Sequence, residues 1–304
     1  MSTRRTTLRT VGQGMALLAT AGAVGVGYAA VIERNWFRLR RHEIAVLAPG
    51  QPRLRILHLS DAHLTPGRRM LLDWIRQLDH HEPDLVINTG DSLAHPAAVE
   101  PFLEALGPLL ARPGAFVHGS NDLFSPRLKN PARYLWGSST PDYAERTVAD
   151  LPWEQLGAGM STAGWLDLNN AVGQLKVGSR TVALAGVHDP HIHLDRYERI
   201  AGPAPTADLR LGLSHSPEPR ILNRFVADDY DLLLAGHTHG GQLCLPGYGT
   251  LVTNCGIDRH RARGLSNYAG AWLHVSAGLG TSPYAPVRFA CRPEASLLDL
   301  VSHS

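Results

Sequence analysis

The sequence predicts a layered α/β domain behind an apolar N-terminal segment, and three observations support this prediction. Short apolar runs alternate with segments in which apolar residues recur every three to four positions, as expected of strands followed by helices. Aspartate, histidine and glycine residues directly follow most of the apolar runs. A long uncharged stretch lies near the N-terminus. Because ligands of such folds bind beyond the carboxyl ends of strands, the polar residues found there are the candidate functional site.

Length and composition favour one large globular domain without a nucleic-acid partner. The chain has 304 residues, of which 44% are hydrophobic and 18% are charged, enough to bury a substantial core. The net charge of +2 is too small to suggest the basic face that nucleic-acid binding requires. Sixteen histidines point instead to metal or proton chemistry, since imidazole is the commonest transition-metal ligand.

The three cysteines, Cys244, Cys255 and Cys291, lack the paired short spacing of a zinc site. Because their number is odd, they cannot all form disulfides within the chain. We expect free buried thiols, and a bridge between Cys244 and Cys255 is the alternative.

The N-terminal segment has the composition of a membrane anchor or an export signal. Residues 11–32 contain no charged side chain, and three arginines precede them. About 20 apolar residues suffice to cross a bilayer core, while a basic start and an apolar stretch also describe a signal peptide. Residues 3–9 resemble a twin-arginine signal. We predict that residues 1–34 form a retained single-pass anchor in the cell membrane with the domain outside the cytoplasm; the alternative is secretion through the twin-arginine-like signal.

The remaining chain divides into a basic juxtamembrane lead-in at residues 35–52 and a domain at residues 53–304. Six short apolar runs predict strands at residues 54–59, 85–88, 115–117, 182–185, 209–213 and 232–235. Helical spacing of apolar residues predicts three helices around residues 71–78, 99–106 and 221–225. Residues 123–150 break this alternation, because prolines and aromatic residues replace the periodic pattern. We interpret them as an irregular insertion near the site, either a functional lid or surface packing.

Candidate ligands follow the predicted strands in short motifs. Asp61-x-His63 supplies a carboxylate and an imidazole from one loop, and Asp91 follows a glycine that permits a tight turn. His237-x-His239, inside GHTHGGQ, provides two imidazoles on one glycine-flanked turn. Each of the first two motifs is common by chance, whereas the ordered combination is specific.

The ordered set D-x-H, G-D, G-S-N-D, S-H and G-H-T-H resembles the calcineurin-like metallophosphoesterase family over roughly residues 50–300. The GHTHGGQ motif, the apolar N-terminal segment and the tail motifs around Gly278, Arg288 and Glu294 look most like the exported or membrane-tethered YkuE-like branch. The resemblance implies a four-layer α/β/β/α sandwich and two divalent metal ions. Mixed oxygen and imidazole ligands suit Mn, Fe or Zn.

The resemblance also implies which residues hold these ions. The first ion is expected on Asp61, His63, Asp91 and His239. The second ion is expected on Asp91, Asn121, His215 and His237. Asp91 would then bridge the two.

The motif Gly119-Ser120-Asn121-Asp122 departs from the family pattern, which is G-N-H-D or G-N-H-E. A gapless match puts Ser120 at the ligand position and Asn121 at the position of the usual catalytic histidine. We expect Asn121 to reach the metal, because its amide oxygen is the better neutral ligand. The family's catalytic histidine is then absent, and His118 or Asp122 is expected to donate the proton instead.

These residues predict metal-dependent hydrolysis of a phosphoester or pyrophosphate bond. The expected substrate is a phosphorylated small molecule or a lipid-linked phosphate of the cell envelope, reached from the membrane through the N-terminal segment. The alternative is a metal-binding, weakly catalytic envelope protein, motivated by the missing histidine.

The other histidines are expected to lie outside the metal site. His58 lies within an apolar run, which favours a hydrogen-bonded core residue. His188, His191 and His193 are expected in a solvated loop, with Asp189 orienting its neighbours.

Overall fold

The computed structural model of the chain describes residues 2–128 and 148–303, with side chains described from residue 13 onward. The described part contains α-helices at Ser2–Gly27 (α1), Arg69–Gln77 (α2), Val99–Leu110 (α3), Ser120–Leu123 (α4), Trp153–Thr162 (α5) and Pro219–Ala227 (α6). Its strands are Arg38–Leu47 (β1), Leu54–Leu59 (β2), Leu85–Asn88 (β3), Gly114–Phe116 (β4), Leu166–Asp167 (β5), Ala171–Val177 (β6), Arg180–Gly186 (β7), Leu209–Leu213 (β8), Leu232–Ala235 (β9), Cys244–Leu245 (β10), Gly249–Thr250 (β11), Gly264–Tyr268 (β12), Ala271–Val275 (β13) and Glu294–Ser302 (β14).

The strands form two six-stranded sheets and one short hairpin. The first sheet has the order β1-β14-β2-β3-β4-β5, the second has the order β12-β13-β9-β8-β7-β6, and β10 pairs with β11. Strands β2, β3 and β4 are parallel to one another, as are β7, β8 and β9. In each sheet the carboxyl ends of these strands therefore meet at one edge.

Separate apolar cores lie between four layers, which confirms the predicted α/β/β/α sandwich. Successive residues of β2 point to opposite faces, so Ile56 packs between the sheets while Leu57 packs under the helices. Helices α2, α3 and α5 cover the outer face of the first sheet. Helix α6 covers the outer face of the second sheet, with Phe225 fully buried there.

The six predicted strands and the three predicted helices are all present. Two smaller predictions are also confirmed. All three cysteines are free, and Cys244 and Cys291 are buried as predicted, whereas Cys255 is only partly buried. His58 is fully buried, and its ring nitrogens lie 2.9 Å from Nδ1 of His274 and 2.9 Å from Oγ1 of Thr89.

Residues 38–47, predicted to lie in a lead-in outside the domain, form instead the edge strand β1. This strand pairs in parallel with β14, and Ile44 is fully buried between the sheets. The guanidinium groups of Arg38 and Arg40 donate to the buried carboxylate of Glu294 at 2.8 and 3.0 Å. The arginines that suggested a juxtamembrane segment therefore hold a strand to the sheet.

Of the predicted insertion at 123–150, residues 129–147 lie outside the described residues. The two flanking segments meet, because the backbone N–H and the hydroxyl of Ser125 donate to the carboxylate of Asp150 at 2.7 and 2.8 Å. The chain therefore leaves and rejoins the domain at one place, directly after α4.

The apolar helical segment Gln13–Asn35 is long enough to cross a bilayer, and very little of it is buried. Its 23 residues correspond to a length of about 35 Å at ~1.5 Å per residue. The last turns contact the domain: the N–H of Arg288 donates to the carbonyl of Ala29 at 3.1 Å, and the N–H of Cys291 donates to Oε1 of Glu33 at 2.7 Å. A signal sequence satisfies the same criteria of length and composition.

Candidate metal centre

The site forms where the parallel strands of both sheets end next to one another. The N–H of Asp61 donates to the carbonyl of Gly90 at 2.8 Å, and the N–H of His63 donates to that of Asp91 at 2.9 Å. These bonds join the loops after β2 and β3. The N–H of His237, in the loop after β9, donates to both carboxylate oxygens of Asp61 at 3.1 and 3.0 Å. The loops of the two sheets are thereby held together.

Side chains from these loops converge into two adjacent groups that share Asp61. One group is Asp61, His63 and His239, and the other is Asp61, Asp91 and His215. The Nε2 atoms of His63 and His239 are 3.0 Å apart. Oδ2 of Asp91 lies 3.4 Å from Nε2 of His63 and 3.4 Å from Nε2 of His215. Asp61 is the one residue that belongs to both groups. Asp91 belongs to the second group and also contacts His63 of the first.

Five of the seven predicted ligands have left-handed backbone conformations. Their φ angles are 53° at Asp61, 41° at His63, 53° at Asp91, 70° at His237 and 50° at His239. Residues other than glycine rarely adopt this region, and each instance costs on the order of 1–3 kcal/mol. Five such residues around one point indicate that the surrounding structure enforces this geometry for function rather than for stability.

Glycines allow the ligand loops to approach one another closely. A Cβ atom at Gly119 would lie 2.2 Å from Oδ1 of Asp91, and one at Gly236 would lie 2.5 Å from Oδ2 of Asp61. Both distances are far shorter than van der Waals contact, so a side chain at either position would displace a ligand carboxylate. The glycines that the sequence carries before the ligands are thus a steric requirement of the site.

Burial and neighbouring charges adjust the ionisation of the ligands. Burial opposes ionisation of Asp91, but the adjacent His215 ring holds the pKa of this carboxyl well below its usual range. Burial raises the pKa of Asp61, so a cation is needed to stabilise its charged form. Burial lowers the pKa values of His237 and His239 well below that of an ordinary histidine. Their rings are therefore neutral, as metal ligands must be.

Backbone carbonyls orient two of the histidine rings. Nδ1 of His215 lies 2.7 Å from the carbonyl of Thr89, and Nε2 of His237 lies 3.2 Å from the carbonyl of Asn254. A carbonyl accepts only from a protonated nitrogen, so Nδ1 of the neutral His237 ring carries the free lone pair, and Nδ1 of His215 is protonated while its Nε2 faces Asp91. The His237 ring lies outside both ligand groups but packs against His215, with 5.3 Å between the ring centroids.

The donor set fits a transition-metal site. Nε2 of His215 has no hydrogen-bond partner of normal geometry among the described residues, and the facing nitrogens of His63 and His239 both lie within reach of the Asp61 carboxylate. Imidazole nitrogens and carboxylate oxygens that converge in this way are the ligands preferred by Mn, Fe and Zn.

Comparison with known proteins assigns the family. A family model described as calcineurin-like phosphoesterase matches residues 54–241, a range that includes all seven predicted ligands. The chain belongs to this family. It is therefore a phosphoesterase-family hydrolase, as its motifs predicted.

Curated relatives of this calcineurin-like phosphoesterase match it over most of its length. Phosphodiesterase YaeI of Escherichia coli K12 is 28% identical over 294 residues, covering 94% of this chain and 97% of that protein. The uncharacterized metallophosphoesterase YkuE of Bacillus subtilis 168 is 26% identical, with 93% and 92% covered. UDP-2,3-diacylglucosamine pyrophosphatase LpxG of Chlamydia trachomatis is 25% identical, with 81% and 83% covered.

In the motif that departs from the family pattern, Asn121 rather than Ser120 lies on the central carboxylate. The N–H of Asn121 donates to Oδ1 of Asp91 at 2.7 Å, and its side-chain Nδ2 lies 2.8 Å from Oδ2 of Asp91. Because amide oxygen and nitrogen exchange places by rotation of the side chain, this position also suits Oδ1 as a donor to a cation. The contact supports Asn121 as the neutral ligand.

Backbone N–H groups donate hydrogen bonds to both side-chain oxygens of Asp122. Its Oδ1 accepts the N–H groups of Ser92 and Leu93, and its Oδ2 accepts those of Asp91 and Gly119, at distances from 2.7 to 3.2 Å. Both carboxyl oxygens of Asp122 are therefore engaged by the backbone of neighbouring loops. These contacts give Asp122 the role of fixing the loop that carries Asp91.

His118 packs in the helix layer rather than among the Asp–His groups. Its ring is 1% exposed and lies edge-on to Phe116 and Trp153, with centroid distances of 5.3 and 5.5 Å. Its Nδ1 is 3.5 Å from Oδ2 of Asp122, and its Nε2 faces Gly157 of α5. Its surroundings are those of a core histidine that supports Asp122.

Asp189 is a buried carboxyl near the site that the motif analysis treated only as an orienting residue. Its Oδ1 accepts the N–H of His191 at 2.9 Å, while Oδ2 has no hydrogen-bond partner of normal geometry among the described residues. Burial raises its pKa to about 7, opposed by the nearby His215. Its position directly after β7, like that of the ligands after their strands, was the available signal.

The neighbouring histidines are less solvated than predicted. His193 is exposed, as expected. His191, by contrast, packs its ring 4.4 Å from that of His237, so the prediction of a solvated loop is wrong for this residue. His188 is partly buried, and burial lowers its pKa to about 4.

Arg288, noted in sequence only as part of a tail motif, holds a ligand loop in place. It is fully buried. Its Nη1 donates to the carbonyl of His239 at 3.0 Å, and its Nη2 donates to the carbonyl of Gly280 at 2.6 Å and lies 3.2 Å from Nδ1 of His239. The planar guanidinium fork therefore fixes both the backbone and the ring of one predicted ligand.

Proposed function

We propose that this chain hydrolyses a phosphoester or pyrophosphate bond of a lipid-linked or cell-envelope substrate, using two divalent metal ions. The observation that carries the proposal is the pair of Asp–His groups that share Asp61 and are both contacted by Asp91, at the strand ends of a calcineurin-like phosphoesterase. One relative is named a phosphodiesterase and another a pyrophosphatase of a diacylated sugar nucleotide. These names support the two bond types.

The proposed arrangement is the one that the family motifs imply. The first ion is assigned to Asp61, His63, Asp91 and His239. The second ion is assigned to Asp91, Asn121, His215 and His237. The contacts of Asp91 Oδ2 with both His63 and His215 support its role as the bridge.

Two divalent ions at this site would supply Lewis acidity to the phosphoryl oxygens and lower the pKa of an attacking water. The protein contributes fixed geometry. The left-handed loops are held by backbone hydrogen bonds, burial keeps the imidazoles of His237 and His239 neutral, and the carboxylates of Asp61 and Asp91 are shielded from water. Arg288 and Asp122 hold the loops of His239 and Asp91 in register.

The contacts of Asp122 and His118 bear on leaving-group chemistry. Both were predicted as proton donors, and they remain our candidates for moving a proton at this end of the site. Because Asp122 accepts four backbone N–H groups, we propose that proton donation is weak. Substrates whose leaving group is stable as an anion, such as p-nitrophenolate or a nucleoside phosphate, should then be preferred over alkyl phosphates.

We further propose that the segment Gln13–Asn35 is a retained single-pass anchor, with the catalytic domain outside the cytoplasm. The length, apolar composition and very low burial of the segment support this. Its last turns bond to residues of the tail, as the contacts of Ala29 and Glu33 show for the described chain. Secretion through a cleaved signal is the alternative.

The test uses the full chain, purified in detergent and loaded separately with Mn²⁺, Fe²⁺ or Zn²⁺. We expect hydrolysis of bis-p-nitrophenyl phosphate, slower hydrolysis of an alkyl phosphodiester, and loss of both reactions after chelation. UDP-2,3-diacylglucosamine and a lipid phosphodiester then compare the two bond types. Absence of turnover on every substrate, with metal fully bound, would favour the metal-binding, weakly catalytic envelope protein instead.

A further inference from the structure

Exposed apolar side chains outside the N-terminal helix concentrate in two segments beside the metal centre, residues 243–251 and 284–289. We call them the apolar patch. Its members are Leu243, Leu245, Tyr248, Leu251, Tyr284 and Phe289, with 37% to 60% of each side chain's surface exposed. A contiguous exposed apolar surface of this kind marks a site of contact with another apolar body.

The two segments form one surface because they are hydrogen-bonded to each other. Leu243 pairs with Phe289 in a short parallel bridge, and the N–H of Cys244 donates to the carbonyl of Phe289 at 2.8 Å. Nε2 of Gln242 donates to the carbonyl of Ala285 at 2.8 Å. The β10–β11 hairpin then projects Leu245 from the same base.

The patch is continuous with the end of the membrane-spanning segment. The ring of Phe289 meets that of Tyr28 edge-on, with 6.3 Å between centroids. The guanidinium of Arg292 lies 4.0 Å from the centroid of the Trp36 ring, and its Nε donates to the carbonyl of Trp36 at 2.9 Å. Tyrosine and tryptophan at the end of an apolar span mark the level of the membrane interface. An anchor that ends at these rings would place Phe289 where the bilayer surface begins.

A positively charged side chain lies at the tip of the β10–β11 hairpin. The exposed Arg259 donates to the hydroxyl of Tyr248 at 2.8 Å, and its guanidinium lies 5.1 Å from the centroid of that ring. An arginine beside exposed aromatic and leucine side chains suits the headgroup region of a bilayer, where anionic lipids attract it.

We propose that the apolar patch rests on the lipid bilayer next to the anchor and seats the metal centre at the membrane surface. The inference rests on the proposed anchor and deepens the proposed function. Gln242 follows the ligand His239 by three residues, and Phe289 adjoins Arg288, which holds His239. The two segments that would contact the bilayer are thus the same two that adjoin the metal centre. The substrate class that this geometry fits is an amphipathic phosphate whose acyl chains stay in the bilayer.

Photo-crosslinking decides the placement. The full chain is reconstituted into vesicles of neutral and anionic glycerophospholipids that include a lipid with a diazirine near the headgroup. After irradiation, we expect lipid adducts on peptides covering 242–251 and 284–289, as well as on the anchor. Adducts confined to the anchor would overturn the inference and favour a protein partner for the patch.

A pair of charge variants makes the test specific. Leu245→Asp/Leu251→Asp should lower the adduct yield on 242–251 about tenfold relative to the anchor, since it buries two charges in the interface. The matched control is Val172→Asp/Gln174→Asp, on exposed positions of the edge strand β6, which should leave that yield unchanged. Equal yields in the two double variants would contradict the proposal.

Two further readouts separate this inference from the claims beneath it. The chain should stay in the vesicles when they are washed with alkaline carbonate. Release of the chain by this wash would overturn both the proposed anchor and this inference. Hydrolysis of soluble bis-p-nitrophenyl phosphate should be equal in the wild type and in both double variants. If the wild type forms lipid adducts on the apolar patch but hydrolyses no substrate, the proposed activity is wrong and the proposed contact of the patch with the bilayer is retained.

Discussion

At the scale of single residues, Oδ2 of Asp91 is the atom at which the two ligand groups meet. It lies 3.4 Å from both His63 and His215, and the side chain of Asn121 rests on it. A carboxylate in this position can serve two cations at once.

Asp91→Ala should therefore lower the turnover of bis-p-nitrophenyl phosphate by more than about a hundredfold, because it removes a ligand shared by both ions. The matched control is Asp73→Ala, at an exposed carboxylate of α2, which should keep wild-type activity. Initial rates at saturating Mn²⁺ measure the effect. Wild-type rates in Asp91→Ala would rule out its bridging role.

Arg288 acts on the site through His239. Arg288→Lys keeps the positive charge but loses the planar fork that bonds the carbonyls of His239 and Gly280, so we expect metal affinity to fall roughly 10- to 100-fold. Activity at saturating metal should recover in part. Titration of the metal-free protein with Mn²⁺ measures the change. Arg76→Lys, on the surface of α2, is the control, and an equal small effect of both substitutions would show that the fork is dispensable.

At the scale of elements, strand ends converge because glycines let the loops approach. Gly119→Ala places a methyl group against Asp91, whereas Gly107→Ala in α3 meets no atom within 4 Å. We expect Gly119→Ala to abolish metal binding at micromolar metal and Gly107→Ala to leave it intact while stabilising α3 by about 0.5–1 kcal/mol. Metal titration and thermal melting measure the pair. Normal metal binding by Gly119→Ala would refute the steric argument.

The pairing of β1 with β14 depends on a buried ionised group. Burial raises the pKa of Glu294, but Arg40 and Arg38 lower it further, so its pKa lies below the ordinary value of 4.5. A lowered pKa in the folded state stabilises the fold above pH 4.5, and this contribution is lost as the pH falls through the folded-state pKa.

Glu294→Gln should therefore lower the melting temperature at pH 7. It should also reduce the difference between the melting temperatures at pH 7 and pH 3.5. Melting of the full chain in detergent across this range measures both effects. Glu104→Gln, at an exposed position of α3, is the control and should retain the wild-type pH dependence. An unchanged pH dependence in Glu294→Gln would show that the ion pairs contribute nothing to the attachment of β1.

At the scale of the whole molecule, the sandwich brings six strand ends and the base of the N-terminal helix to one region. Much of this was predictable, because local apolar patterns specify β2, β3, β8 and β9, and the polar residues after them follow in a family order. The role of Arg288 was not predictable, since it depends on contacts with His239 across 49 residues. The strand β1 was missed because its arginines resemble a juxtamembrane segment, although Glu294 neutralises them.

The central claim is that one site holds two ions joined through Asp91. The most direct test of this claim is the metal content per chain. It is measured by mass spectrometry on the purified wild type and on Asp91→Ala after equilibration with Mn²⁺. We expect two ions per wild-type chain and fewer than one per Asp91→Ala chain. One ion per wild-type chain, or equal metal content in the two proteins, would contradict it.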